Sequence, residues 1–341
     1  MSRPLMTTVR IDRFGGPDVL ALHEVPVPEP GPGQILVRVE SAGVNFADVM
    51  RRRNDPYPFP TVLPFTPGGE VAGTVEALGD GVQGPPVGTP VFALVGNDGS
   101  NGYAQYAVAN AQQVIPIPPG LTVDQAAGIV VAGATAMLAL TDVGGLQARQ
   151  TVLIEGAAGG LGTYAVQIAK LLGATVIGAA STVARREAAL AYGADHVVDY
   201  TQPGWDDAVR ELTGGQGADL VLQIGGDETI RQALGALAPF GRVVVLGMPG
   251  QRPLTLDAAT SESFFHVQAS NQSLHSIGVG FFFGLRPEAA VRALTTLVGY
   301  VATGRVKVPI TVLPLERAAD AHRLLENREA TGKIVLKPWS R

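Results

Sequence analysis

The chain has 341 residues, 46% of them hydrophobic and only 16% charged, with a net charge of −5. That mix supports a sizeable core and excludes disorder, and glycines and prolines without a period exclude collagen-like and low-complexity readings. With no cysteine, disulfides, thiolate metal sites and cysteine nucleophiles are excluded, and no long basic run argues for nucleic acid.

From Thr8 to Val108 the pattern is short strands and turns. Ile35–Val39 alternates, Val71–Val75 is a similar run, and glycine and proline cluster at Pro28–Gly33, Pro67–Gly69 and Gly79–Gly88. An antiparallel β domain with few helices is predicted there. The triplet Arg51, Arg52, Arg53 reads as a solvated face. The N-terminal stretch lacks the apolar core of a signal peptide, and Ala126–Leu140 is too short for a bilayer span, so a soluble cytoplasmic protein is expected.

Near Asp124 the character changes. Val123–Leu140 has helical spacing. Strands and helices then alternate: strand Val152–Glu155, helix Thr163–Leu172, strand Thr175–Ala179, helix Ala184–Tyr192, strand His196–Val198. The pattern continues with helix Asp206–Leu212, strand Leu220–Ile224, helix Ile230–Leu237 and strand Val243–Leu246. That order predicts a doubly wound parallel sheet, an α/β fold. A further strand is predicted at Ser276–Phe283, a helix at Ala289–Thr303 and a closing strand at Lys333–Leu336.

The segment Glu155–Gly162 reads EGAAGGLG between a strand and a helix. Ala157, Gly159 and Gly162 take the three positions of a G-x-G-x-x-G turn. The first must be small for a tight bend. The second admits a pyrophosphate to the backbone, and the third lets helix and strand approach. The helix N-terminus then offers amide N–H groups to phosphate. The second strand decides the cofactor. An NAD-preferring site places Asp or Glu at its end, but this strand ends Ala180, Ser181, Thr182, with Arg185 and Arg186 following. A hydroxyl and a guanidinium accept a 2′-phosphate that a carboxylate would repel, so NADPH is expected.

Several motifs in order carry a resemblance. They are AGVNFADVM (Ala42–Met50), PFTPGGEVAGTVEALGDGV (Pro64–Val82), AGATAMLAL (Ala132–Leu140), Glu155–Gly178, YGADHVVDY (Tyr192–Tyr200), GRVVVLGMPG (Gly241–Gly250) and TGKIVLKP (Thr331–Pro338). The chain resembles the medium-chain dehydrogenase/reductase superfamily in its zinc-free quinone oxidoreductase branch. The resemblance implies a Rossmann domain over 126–283. It also implies a GroES-like β domain over 1–125, with 284–341 returning to it, and a homodimer formed through the edge strand Ser276–Phe283.

It implies roles as well. Asn45, where zinc-dependent relatives carry a cysteine ligand, would face the nicotinamide or the substrate carbonyl, and Thr135 would contact the nicotinamide side. Ala158, Gly159, Gly160 and Leu161 would hold the pyrophosphate, and Ser181, Arg185 and Tyr200 the 2′-phosphate. Ile224, Leu246 and Met248 would line the ribose path, Phe281 and Phe282 the nicotinamide end. Arg328 or Lys333 would reach the cofactor. Where zinc relatives carry Gly-His-Glu, this chain has Gly68, Gly69, Glu70, and its five histidines are scattered.

The resulting expectation is zinc-independent, NADPH-dependent reduction of a quinone or α,β-unsaturated carbonyl by hydride transfer. The alternatives are an enoyl or alkenal reductase of narrow substrate range, or a non-catalytic NADPH-binding sensor or partner protein.

Overall fold

A computed structural model describes residues 3–225, 229–246 and 270–340. The chain divides into two units. One holds 1–132, 301–303 and 308–341, and the other 133–300 and 304–307.

In the first unit, alternating apolar residues build a seven-stranded sheet. Its order is Ile310–Pro314, Lys333–Lys337, Gln34–Val44, Glu70–Leu78, Pro90–Leu94, Val114–Pro116, with Tyr106–Asn110 also paired to Gln34–Val44. All pairings are antiparallel except Ile310–Pro314 with Lys333–Lys337. Val37, Val39, Val71, Val75, Val91 and Ile334 face a shared core. An N-terminal hairpin, Leu5–Arg10 with Ala21–Pro26, pairs separately. Both termini thus contribute to one β unit, as expected.

The register of the central strand matters most. Ile334 pairs with Val44 and Gly43 with Glu70, so two neighbouring strands bring Lys333 and Glu70 to the end of Gln34–Val44, where Asn45 follows. Gly43 is required there. A Cβ on it would lie 2.6 Å from the Glu70 side chain and 2.2 Å from the Ala127 carbonyl oxygen.

The second unit is a six-stranded parallel sheet ordered His196–Val198, Thr175–Ala179, Thr151–Glu155, Ala218–Gln223, Leu237–Val245, Ser273–Ser276. Counted along the chain, that is the order 3-2-1-4-5-6 of the doubly wound dinucleotide fold, which reverses between the first and fourth strands. The inner strands are near-continuous apolar runs because helices cover both faces. Leu153, Ile177, Val221 and Val243 pack with Trp205, Val209 and Ile230.

Three expectations are corrected. The strand placed at Ser276–Phe283 is Ser273–Ser276, and Val279–Leu285 is a helix. Its described pairing with Arg242–Val245 of the neighbouring strand runs from Ser273 to Ser276. Three consecutive phenylalanines fit either period and could not decide the matter. The region Val123–Leu140 is not one helix. It forms Val123–Ala126 and Val131–Leu138, the latter running into a π-turn at Ala139–Val143. Most of helix Pro287–Ala302 groups with the second unit, and the β unit takes up the chain at 301–303 and again from 308, later than the expected 284. Leu297 accounts for this by seating against Gly133, where a Cβ would come within 2.5 Å of it.

Candidate active site

In the dinucleotide unit the glycine-rich turn is built from backbone. Gly156 adopts φ +60, and the Gly159 amide donates to its carbonyl at 2.8 Å. Helix Gly160–Leu171 follows. A Cβ on Gly162 would stand 2.1 Å from the Gly156 carbonyl oxygen and 2.7 Å from the Ala157 Cα, so only glycine lets this helix start against its own turn. No side chain caps the helix through Gly159, and its first turn holds no acid. The first-turn amides are thereby left to an anion, an arrangement that suits the pyrophosphate of a dinucleotide. Ala157 and Ala158 are buried, so Ala158 would meet a ligand through its backbone.

The parallel topology gathers the other expected residues at one sheet edge. Ser181, Tyr200, Ile224 and Leu246 each stand one or two residues past the carboxyl end of successive strands. Ligands of such sheets bind outside those ends, where the strand order reverses. Thr182 caps helix Val183–Ala191 by accepting the Arg185 amide at 3.3 Å, which sets Arg185 in the first turn. Arg186 is held differently: it donates to the Ala180 carbonyl at 3.2 Å and pairs with Asp199 at 2.7 Å. Tyr200 rests partly buried on the unit's core. Phe281 is 53% exposed on its helix with Phe282 beside it, and Thr135 lies half-buried in helix Val131–Leu138. Met248 lies outside the described residues.

Sequence reasoning missed Glu155. This buried carboxylate ends the first strand and accepts from the amides of Ile224 (3.0 Å) and Gly225 (2.8 Å) and from the Thr229 hydroxyl (2.9 Å). It ties together the ends of the two strands that flank the reversal point. Nothing local announces that partnership, which joins residues about 70 positions apart.

In the β unit, Asn45 begins helix Phe46–Arg53. Its amide N–H donates to Asp48 Oδ2 at 2.8 Å. Lys333 Nζ donates to Asn45 Oδ1 (2.7 Å), the Val44 carbonyl (3.0 Å) and Glu70 Oε1 (3.0 Å), while Asn45 Nδ2 donates to Glu70 Oε1 at 2.8 Å. Glu70 Oε2 accepts the Val131 amide at 2.8 Å. Lys333 is 3% exposed and Glu70 0%. Asn45 and Lys333, named separately in the sequence, are thus bonded directly, and both also bond Glu70, a residue that was given no role. Arg328 is not with them. It sits exposed at φ +56 just after helix Ala318–Glu326.

Behind this cluster runs a second buried chain. Asp48 also accepts from the Gly68 amide (2.9 Å) and the Tyr103 hydroxyl (3.1 Å), and that hydroxyl lies 3.2 Å from His322 Nε2. Arg52 stands 3.3 Å from His322 Nδ1 and pairs with Glu326. An arginine can only donate, so Nδ1 accepts and Nε2 carries the proton. Burial raises the Asp48 carboxyl to about 6 despite its hydrogen bonds. Burial, then the charges of Arg52 and Arg53, lower His322 to about 3. Desolvation also raises the Tyr103 phenol well above 10.0.

The expectation that Arg51–Arg53 form a solvated face is overturned. Arg51 is 1% exposed, pairing with Asp98 and lying over Phe65, and Arg52 is 0% exposed. The acids that receive them lie 47 and 274 residues away, beyond the reach of a local charge reading.

The donor set around Asn45 does not suit a metal ion. An ammonium already occupies the point where three oxygens converge, and the chain has no thiolate. Among the described residues, no group of three or more His, Asp or Glu is placed to hold one. No helix among them is long and apolar enough to cross a membrane.

A parallel sheet of this order with a bare glycine turn, joined to a separate β unit, defines a two-domain dinucleotide-binding protein. Residues 160–293 match the family model "Zinc-binding dehydrogenase", and residues 31–119 match "Alcohol dehydrogenase GroES-like domain". Quinone oxidoreductase of Sus scrofa is 33% identical over 97% of this chain and 98% of its own length. The crystal structure of Escherichia coli quinone oxidoreductase complexed with NADPH superposes with a TM-score of 0.89 at 27% identity, over 97% of this chain and all of that one. A segment of a phenolphthiocerol/phthiocerol polyketide synthase from Mycobacterium tuberculosis is 35% identical over 96% of this chain. The chain spans only 14% of the length of that relative. The chain belongs to the medium-chain dehydrogenase/reductase superfamily, among its quinone oxidoreductase-like members.

Proposed function

We propose that the chain is a zinc-independent, NADPH-dependent oxidoreductase that reduces a quinone or an α,β-unsaturated carbonyl. One observation carries the cofactor choice: the second strand of the dinucleotide sheet is followed by Ala180, Ser181 and Thr182 without a carboxylate, with Arg185 in the next helical turn. Ser181, Arg185 and Tyr200 then hold the 2′-phosphate, and the amides of Gly159, Gly160 and Leu161, with Ala158, hold the pyrophosphate. Ile224 and Leu246 line the ribose path. Thr135, Phe281 and Phe282 belong to the nicotinamide end.

When bound, NADPH supplies a hydride and leaves as NADP+. The conjugated carbon of the acceptor takes the hydride, and its carbonyl oxygen takes the displaced electron pair. Asn45 donates a hydrogen bond to that oxygen, and water supplies the balancing proton. Reaction of this kind depends on position more than on acid–base groups. The exposed edge strand Ser273–Ser276 supports a homodimer.

Likeness to a polyketide synthase segment favours a second reading, in which the acceptor is an enoyl thioester. Fluorescence titration is expected to show tighter binding of NADPH than NADH. A panel of 1,4-benzoquinone, a naphthoquinone, 2-alkenals and an enoyl thioester then separates the two readings. Absence of NADPH binding removes both, and binding without turnover across the panel leaves a sensor.

A further inference from the structure

Asparagine is ambiguous in most settings, because its amide can present either a donor or an acceptor. Here both neighbours choose for it. Lys333 has three donors and no acceptor, and it sits 2.7 Å from one end of the amide. The Glu70 carboxylate has acceptors only, and it sits 2.8 Å from the other end. The two are themselves paired at 3.0 Å, almost fully buried, and anchored to backbone at the Val44 carbonyl and the Val131 amide. Turning the amide over would put its NH2 against an ammonium and its oxygen against a carboxylate. Its oxygen is turned to the ammonium, one amide hydrogen goes to Glu70, and among the described residues the second hydrogen meets no acceptor. Asn45 itself is only half-buried.

We propose that Glu70 and Lys333 are positioning residues that lock Asn45 as a one-sided hydrogen-bond donor, so that the site selects acceptors whose carbonyl oxygen gains negative charge. The inference rests on the reductase reading above. Lys333 contributes twice, since its charge withdraws electron density from the amide oxygen and strengthens the remaining N–H as a donor. A donor fixed before the reaction needs no reorganisation when charge develops, which is where such groups act most strongly. Lys333 thereby changes role, from a cofactor contact to a residue working through Asn45. An alcohol substrate would need its proton taken up by a base, and a neutral amide whose oxygen already faces an ammonium is not one. The wild type is therefore expected to reduce quinones or enones with NADPH while failing to oxidise simple alcohols with NADP+.

The test is a mutant cycle on the full chain. Asn45→Leu is expected to lower kcat about a hundredfold, the scale for losing one oxyanion donor, with the NADPH Kd within about twofold. Removing only one member of a buried ion pair can unfold the unit, so Glu70→Gln and Lys333→Met are made together, which removes both charges. That paired variant is expected to lose about tenfold in kcat at unchanged NADPH Kd and to lose nothing further in the Asn45→Leu background. Full additivity of the two losses, or wild-type kcat in the paired variant, overturns the inference. Failure of the wild type to bind NADPH or to reduce any acceptor overturns the functional reading instead, so the two failures are distinguishable.

Discussion

The two units prepare for a ligand in opposite ways. The dinucleotide turn is made of backbone. It achieves its shape by leaving side chains out, with Gly156, Ala157, Ala158, Gly159 and Gly162 all small. The cluster around Asn45 is made of side chains, held by a buried charge pair 263 residues apart and by hydrogen bonds between Asn45 and both of its members, 25 and 288 residues away. The buried charges of that cluster are tolerated because each is hydrogen-bonded, whereas the turn keeps its first-turn amides open to an anion. A backbone site tolerates no added atom, and a side-chain site tolerates no missing partner. Substitution separates the two cases.

The largest effect is expected where a partner is removed. Glu326→Ala leaves the fully buried Arg52 beside a neutral His322, and breaking a buried pair on one side costs about 3–5 kcal/mol. Urea unfolding measures the loss, and a value under about 1 kcal/mol would mean that the pair resembles a surface one. Next comes an added atom. Gly162→Val drives its Cβ onto the Gly156 carbonyl, a backbone obstacle that cannot rotate away. Overpacking of this kind costs about 1–3 kcal/mol, and NADPH affinity should fall more than tenfold as the turn opens. Wild-type affinity in that variant would show that the turn is less tightly fitted than its geometry implies.

The same contrast explains what the sequence could disclose. The glycine turn, the alternating strands and the helices around them were legible because each is local, set by period and by small residues at fixed offsets. The Asn45 pocket was half legible. Asn45 and Lys333 carried roles through resemblance, but the bond between them follows from strand register, which composition does not encode. A hint was present: Asn45 and Asp48 have the i, i+3 spacing of a capping box, which places a carboxylate at the helix start. Gly43 was a second hint, readable only once Glu70 is known to cross it. Arg51 and Arg52 misled because an arginine triplet looks solvated until distant acids are seen to meet it.

A smaller effect tests the buried chain behind Asn45 through pH. Asp48 has a folded pKa of about 6 against an ordinary 3.8, so the folded state binds that proton more tightly. Between those values its contribution to stability falls as pH rises. His322 has a folded pKa of about 3 against an ordinary 6.5, so the folded state binds that proton more weakly. Across that range its contribution rises with pH. Near about pH 5 the two slopes, each at most about 1.4 kcal/mol per pH unit, should offset and leave the wild type nearly flat. His322→Gln removes one of them. Its stability should then fall by about 1 kcal/mol per pH unit from about pH 4 to about pH 6, measured by urea unfolding across that range. A flat profile in the variant would show that Asp48 titrates near its ordinary value.

The smallest effect returns to the dinucleotide unit and asks whether neighbouring arginines do the same work. Arg186 is committed within the fold, holding Asp199 and the Ala180 carbonyl. Arg185 stands in the first turn of its helix, set there by the Thr182 cap, and it is only partly buried. If it reads the 2′-phosphate, Arg185→Ala should raise KM for NADPH about tenfold, close to 1.4 kcal/mol, and leave KM for NADH within about twofold. Arg186→Ala should instead loosen the turn that ends the second strand and weaken both cofactors alike. The ratio of the two KM values is the informative quantity, because a general loss of stability moves both together. Equal shifts in Arg185→Ala would assign phosphate recognition to Ser181 and Tyr200 alone, and the site would then discriminate by hydroxyl groups rather than by charge.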